Sequence, residues 1–216
     1  MRIAILVAMT MEAKKLIARI ENPVPTKAAG KKFLCGSIGG AEVVLHICGA
    51  GMRKAANGAK ALIEKYHPDI LLNYGVSGGF VPGIALCDTV IARSSYPASA
   101  KNGTAEMTDE ALADFALRIL PHAQIAPAAT SIGLILNKRR KARIAQKSGA
   151  VCVDMETYAV AKAANALHTP LLVIRCMSDT VEPESLLHFF KNGAMAAEKV
   201  AAETELVIRK LAEEPS

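Results

Sequence analysis

Residues 2–8 read RIAILVA, and after Arg2 no polar side chain interrupts them. A strand with one wet face alternates apolar with polar residues. A strand that is apolar at consecutive positions must be covered on both faces. Sheets meet that condition when their crossovers lay helices on each side. Further runs of this kind occupy 68–80 (PDILLNYGVSGGF), 87–95, 130–136 (TSIGLIL), 150–153 and 170–177. Shorter strands are predicted at 32–36 and 41–48, split by a Gly39–Gly40 turn, with a proline-containing loop at 22–26. Between these runs the spacing turns helical. Leu16, Ile17 and Ile20 share one face of 11–20, and helices are predicted after the Gly-rich turn in 49–66, at 108–120, at 155–167 and over about 185–212. Residues 96–107 read as loop. The alternation predicts an α/β fold, a three-layer αβα sandwich around a central mixed, largely parallel sheet. One domain is expected over 1–216.

Composition supports this reading and narrows the function. The chain is 51% hydrophobic but only 4% aromatic, with no Trp, so Ala, Val, Ile and Leu must fill the core. The net charge of +6 suits an anionic ligand, but Lys and Arg are spread along the chain and no nucleic-acid module is recognisable, so no specific nucleic-acid partner is expected. The five Cys form no Cys-x-x-Cys pair and sit mostly in apolar runs, which reads as buried thiols in a cytoplasmic protein. No 18-residue uncharged apolar span is present and the N-terminus lacks a cleavage-site pattern, so neither a membrane helix nor a signal peptide is expected. The five His show no ligand spacing; neither a metal nor another cofactor is expected.

Against that background, charge inside the apolar runs needs explaining. VCVDMETYAV (151–160) holds Asp154 and Glu156, and PLLVIRCMSDT (170–180) holds Arg175 and Asp179. Glu12, the segment Gly75–Gly79, Glu156 and the pair Ser178–Asp179 all fall just past predicted strands. Ligands collect there in open α/β sheets, and glycines let main-chain N–H groups approach them. Each residue also has a plainer reading. Glu156 fits a first-turn helix acid, Ser178 and Asp179 a helix cap, and Glu12 a surface acid opening a helix.

The segments AMTMEAKKL, GAGMRKAANGAKALI, LLNYGVSGGF, CVDMETYAVA and VIRCMSDT together resemble the nucleoside phosphorylase and nucleosidase superfamily, in the family's order over about 1–93 and 130–200. The nearest pattern is that of the 5′-methylthioadenosine/S-adenosylhomocysteine nucleosidases. The resemblance implies cleavage of the N-glycosidic bond of an adenosine-type nucleoside with a modified 5′ position. It implies that Asp179 meets the purine at N7, with Ser178 orienting it, and that Glu156 binds the ribose hydroxyls with Met155 against the sugar. Glu12 activates water, and Arg175 helps to hold that water and the carboxylates. Val76, Ser77 and Gly78 line the substrate, and Phe189 covers the 5′ group or, on the plainer reading, packs in the last helix. A homodimer is the assembly expected.

Hexameric phosphorylases in the superfamily carry an Arg in the first loop and another two residues before the second Gly-rich turn. Here the first loop has none and the second position is Asn73, which favours water over phosphate, although Arg53 beside the GAG turn keeps phosphate as the competing nucleophile. The loop that carries an adenine-stacking Phe in nucleosidases is shorter here and holds Lys138, Arg139, Arg140, Lys141 and Arg143. The short loops also resemble a hopanoid-associated branch that acts on a lipid-linked adenosine. The basic cluster reads first as a solvated helix face, with an anionic substrate, a membrane surface or nucleic acid as alternatives. A non-catalytic nucleoside- or nucleic-acid-binding module is the reading from another functional class.

Overall fold

The computed structural model describes residues 1–28, 30–99, 103–135, 137–180 and 186–214, with side chains in the last stretch from Asn192 onward. The first strand, β1 (Arg2–Val7), has both faces covered as its sequence requires. Ile3, Ile5 and Val7 face one apolar cluster, while Ala4 and Leu6 face another. The helices α1 (Thr10–Ile17), α3 (Glu110–Ile119) and α6 (Leu186–Glu213) pack on the first face. Helices α2 (Met52–Tyr66) and α5 (Thr157–Ala166) pack on the second. These are the three expected layers.

Around β1 lie β4 (Ala41–Ile47) and β5 (Ile70–Gly79), both parallel to it, and β10 (Leu171–Asp179) runs parallel to β5. The chain then adds β6 (Thr89–Pro97), antiparallel to β10, followed by β8 (Gln124–Thr130) and β9 (Cys152–Asp154). Strand β9 returns to β5 in antiparallel register, and β10 also pairs β5. The strands β5, β10, β6, β8 and β9 therefore close into a ring at one end of a mixed sheet. The open end carries β3 (Lys31–Ile38) and β2 (Glu21–Ala28), and β7 (Glu106–Met107) pairs β6.

Two segments differ from the sequence reading. Residues 22–26, expected as a loop, belong to β2. Pro23 and Pro25 are tolerated because β2 is the outer edge of the sheet, where a missing N–H costs no ladder bond. The TSIGLIL run ends its strand at Thr130, the last residue of β8. Beyond it Ile132 and Leu134 are exposed (74% and 58%), so that stretch is apolar for a reason other than core burial. The basic segment forms α4 (Lys138–Ser148), capped by the Asn137 side chain, which accepts from the Arg140 amide. Helix α4 covers a third, smaller apolar cluster containing Phe80, Ile135, Ile144 and Val153. Among the described residues no helix is long and apolar enough to cross a membrane.

Gly36 marks where β2 folds back over β3. The pairing slips between Glu21 and Val24, and a Cβ on Gly36 would lie 2.7 Å from the Glu21 carbonyl oxygen. Main chain cannot yield as a side-chain tip does. Gly36→Ala is therefore expected to cost about 1–3 kcal/mol of stability, read as a lower urea midpoint at unchanged m-value.

Candidate active site

The buried charges on 151–160 and 170–180 meet under the carboxyl ends of β5, β9 and β10. Arg175 and Asp154 form an ion pair at 2.8 Å (Nε to Oδ2), each side chain 2% exposed. The remaining donors and acceptors are nearly all used. Arg175 Nη2 donates to Thr157 Oγ1 at 2.7 Å and to Asn73 Oδ1, and Nη1 reaches the Asn73 carbonyl. Asp154 Oδ1 accepts from Thr130 Oγ1 (2.7 Å) and from the amides of Glu156 and Thr157, while Oδ2 also takes the Thr157 hydroxyl. Burial pushes the Asp154 carboxyl upward, but the Arg175 charge and the hydrogen bonds from Thr157, Thr130 and Arg175 outweigh it and hold the group below the usual range. Asp154 thus opens helix α5, the part sequence reading offered to Glu156.

Glu156 does something else. It is 8% exposed, and its Oε1 accepts the Gly51 amide at 2.6 Å, across 105 residues of sequence. Gly51 sits at φ 108°, a left-handed conformation that glycine takes without strain, and this aims its N–H at the carboxylate. Burial raises the Glu156 pKa to about 7, helped by the Asp154 charge; the Gly51 N–H and Arg175 oppose it, and Glu12 adds to the rise.

Glu12 is equally far from a surface acid. It is 2% exposed; Oε1 accepts the Val76 amide at 2.8 Å, and Oε2 accepts the Met9 amide at 2.9 Å, the return half of a capping box. Burial raises its pKa, against those two N–H bonds and the Arg175 charge, while Asp154 pushes it up. Gly75 makes room for it, since a Cβ there would lie 2.8 Å from Glu12 Oε1. Glu12, Glu156 and Arg175 therefore share one electrostatic neighbourhood at the ends of three strands. Cys48 lies in the same field; burial, with Glu156 and Glu12 beside it, lifts its thiol to about 12, so it stays protonated.

Gly75–Gly79, expected as a turn beyond a strand, are the last five residues of β5 itself. Val76 and Gly78 are half-buried there, and the Ser77 hydroxyl is turned inward to the Val153 carbonyl at 2.7 Å. Met155 is half-buried beside Glu156. Asp179 ends β10 directly opposite Gly78, and a Cβ on Gly78 would lie 2.6 Å from its Oδ1. Ser178, expected to orient Asp179, points elsewhere: the register shifts between Met177 and Asp179, and the Ser178 hydroxyl donates to the Ser77 carbonyl at 3.3 Å. The group beside Asp179 is Lys141, whose Nζ lies 3.5 Å from Oδ2. Burial raises the Asp179 pKa, and Lys141 and the nearby Gly79 N–H oppose that rise without cancelling it. Phe189 lies among side chains outside the described residues.

Three residues central to this geometry carry no role in the sequence reading. Asp154 was visible only as a charge in an apolar run. Asn73 was noted as a non-arginine; its side-chain amide donates to the Leu6 carbonyl at 2.9 Å and its oxygen receives Arg175. Lys141 was one of five basic residues, of which Lys138, Arg139, Arg140 and Arg143 are exposed, as a solvated helix face requires, while Lys141 is buried. Among the described residues no group of three His, Cys, Asp or Glu is placed to hold a metal.

Residues 2–209 match the family model of the Phosphorylase superfamily, and the chain belongs to that family. Within it, the chain is similar to the 5′-methylthioadenosine/S-adenosylhomocysteine nucleosidase of Shewanella sediminis, at 29% identity over 210 residues, covering 88% of this chain and 90% of the relative. Solved structures of nucleosidases with the same name superpose closely. One from S. pneumoniae, bound to a transition-state inhibitor, gives a TM-score of 0.90 at 25% identity, covering 98% of this chain and 100% of that one. One from Campylobacter jejuni gives 0.89 at 25%, covering 97% and 99%.

The raised pKa of Glu156 makes a stability prediction. The native state holds a proton there that the unfolded chain has released, so stability falls as pH rises from about 4.5 to about 7. Glu156→Gln removes this contribution, and its Tm is expected to vary less with pH over that window than the wild-type Tm, by calorimetry.

Proposed function

We propose that this chain hydrolyses the N-glycosidic bond of an adenosine-type purine nucleoside carrying a modified 5′ position. The observation that carries the reading is the placement of Glu12 and Glu156. Both are buried at neighbouring strand ends, both are held by main-chain N–H groups, and both lie within the field of Arg175. The family relationship supports it, because the similar curated and solved proteins carry nucleosidase names.

The chemistry follows from these positions. As the C1′–N9 bond lengthens, the sugar gains positive charge and the base takes the electron pair. Glu12, whose carboxyl burial pushes upward while two N–H groups and Arg175 favour its charged form, accepts a proton from water as the water oxygen bonds to C1′. Asp179, with a raised pKa at the rim, supplies a proton to the departing base, and solvent later returns Glu12's proton to it. Glu156, anchored on Gly51, accepts hydrogen bonds from the ribose hydroxyls, with Met155 against the sugar face. Arg175 does not meet the substrate on this reading. Its guanidinium is committed to Asp154, Asn73 and Thr157, so it acts from below as a fixed positive charge.

Water is favoured over phosphate by Asn73. A phosphorylase would present a cation there, and here the side chain is tied to Leu6 and Arg175. Purified protein should release free adenine from 5′-methylthioadenosine at the same rate with and without phosphate, giving unphosphorylated 5-methylthioribose by chromatography. Glu12→Gln and Asp179→Asn should each lower kcat by about 10²–10⁴. Strict phosphate dependence with a sugar 1-phosphate product would overturn hydrolysis, and absence of turnover on every nucleoside tried would leave a binding module.

The working unit on this reading is a homodimer. The exposed Ile132 and Leu134 at the site end of β8 support it, since neighbouring large apolar side chains left in water favour association. Sedimentation is expected to give twice the 22.8 kDa chain mass, and Leu134→Glu to shift it toward the monomer.

A further inference from the structure

Helix α4 turns Lys141 and Ile144 inward, one helical turn apart, while its other basic side chains stay in water. The inward position suits an apolar residue, yet it holds an ammonium group, 2% exposed. Burying that charge costs several kcal/mol unless its donors are answered. They are answered by three acceptors: the Thr180 carbonyl at 3.0 Å, the Gly79 carbonyl at 3.2 Å and Asp179 Oδ2 at 3.5 Å. The first two are main-chain oxygens at the ends of β10 and β5, so they fix where the ammonium sits. The third belongs to Asp179, the last residue of β10. Asp179 Oδ1 makes no hydrogen bond of ordinary geometry among the described residues.

We propose that Lys141 is the positioning residue for Asp179: anchored on two main-chain carbonyls, its ammonium holds the carboxylate against Gly78 at the base subsite, so that Asp179 acts on the leaving base as half of a lysine–aspartate pair. The inference rests on the nucleosidase reading for its catalytic consequence and on geometry alone for the pair. Among the described residues, Lys141 is the charged side chain that acts on Asp179. From β5 the carboxylate meets Gly78 and Gly79, which carry no charge, and Glu12, Glu156 and Arg175 act on one another instead. The ammonium favours the ionised carboxylate, which sets a limit on how far burial raises it. The pair is thereby tuned toward a donor that releases its proton readily, which a carboxyl buried alone would not do.

The test separates the pair from the reaction. The ¹³C-carboxyl resonance of Asp179, assigned by its loss in Asp179→Asn, is titrated in the full-length wild-type protein, in Lys141→Met and in Lys141→Arg. The midpoint is expected to move to higher pH in Lys141→Met and to return toward wild type in Lys141→Arg. On nucleoside substrate, Lys141→Met should lower kcat/KM roughly tenfold to a hundredfold, the range of one charge-assisted hydrogen bond. The same change in the Asp179→Asn background should cost less than about twofold, because the lysine works through the aspartate. An unmoved Asp179 midpoint in folded Lys141→Met, or a Lys141→Met loss of equal size in both backgrounds, overturns the proposal. Should Lys141→Met fail to fold, Lys141→Gln, a shorter side chain that keeps N–H donors without the charge, decides by the same titration. If no nucleoside is turned over, the functional reading fails while the titration still answers for the pair.

Discussion

The Arg175–Asp154 pair is the constraint on which the site is built. Two opposite charges taken fully out of water are tolerated only when every remaining lone pair and proton is answered, and removing one partner from such a pair costs about 3–5 kcal/mol. Meeting that demand recruits Thr130 from β8, Thr157 from α5 and Asn73 from β5. Each recruit belongs to a different element, so satisfying one ion pair fixes the relative placement of the strand ends. The catalytic candidates stand on this base. Glu156 follows Asp154 by two residues, and its amide is one of the donors to it. The upward shift of Glu12 and Glu156 is restrained first by main-chain N–H groups and then by the positive charge of Arg175.

From that base, two kinds of carboxylate emerge in one small volume. Asp154 is driven below its ordinary range; Glu12, Glu156 and Asp179 are driven above theirs. The difference lies in their partners. Asp154 faces an arginine and two hydroxyl donors, whereas the others rely on main-chain amides or one lysine at the edge of contact. Separating proton affinities by environment is how one site can hold acid and base together near neutral pH.

Much of this was legible in the sequence, and the gaps have physical causes. Continuous apolar runs identified the buried strands, and the paired motifs at their ends identified Glu12, Glu156, Ser178 and Asp179. The edge strand β2 was misread because prolines suppress strand propensity, and only the finished sheet shows that no partner needed their N–H. The direction of Ser178 was lost because β10 ends two residues later than the run of apolar side chains implies, with a register shift at Ser178 that no side-chain pattern marks. Lys141 was hidden by its neighbours. In a string of five basic residues, composition cannot say which one a helix turns inward. Asp154 and Asn73 escaped for the opposite reason, since the partner they share, Arg175, is distant in sequence from both.

The donors that hold the two glutamates belong to the peptide chain and not to side chains: Val76 and Met9 for Glu12, Gly51 for Glu156. A peptide N–H survives nearly any amino-acid replacement at its position, provided the trace of the chain is preserved. Mutational drift can therefore rewrite most of the residues flanking the pocket while its pattern of donors stays put. Selection on such a site falls on the course of the backbone, and on the few glycines that let it run close, more than on the identities of the residues strung along it.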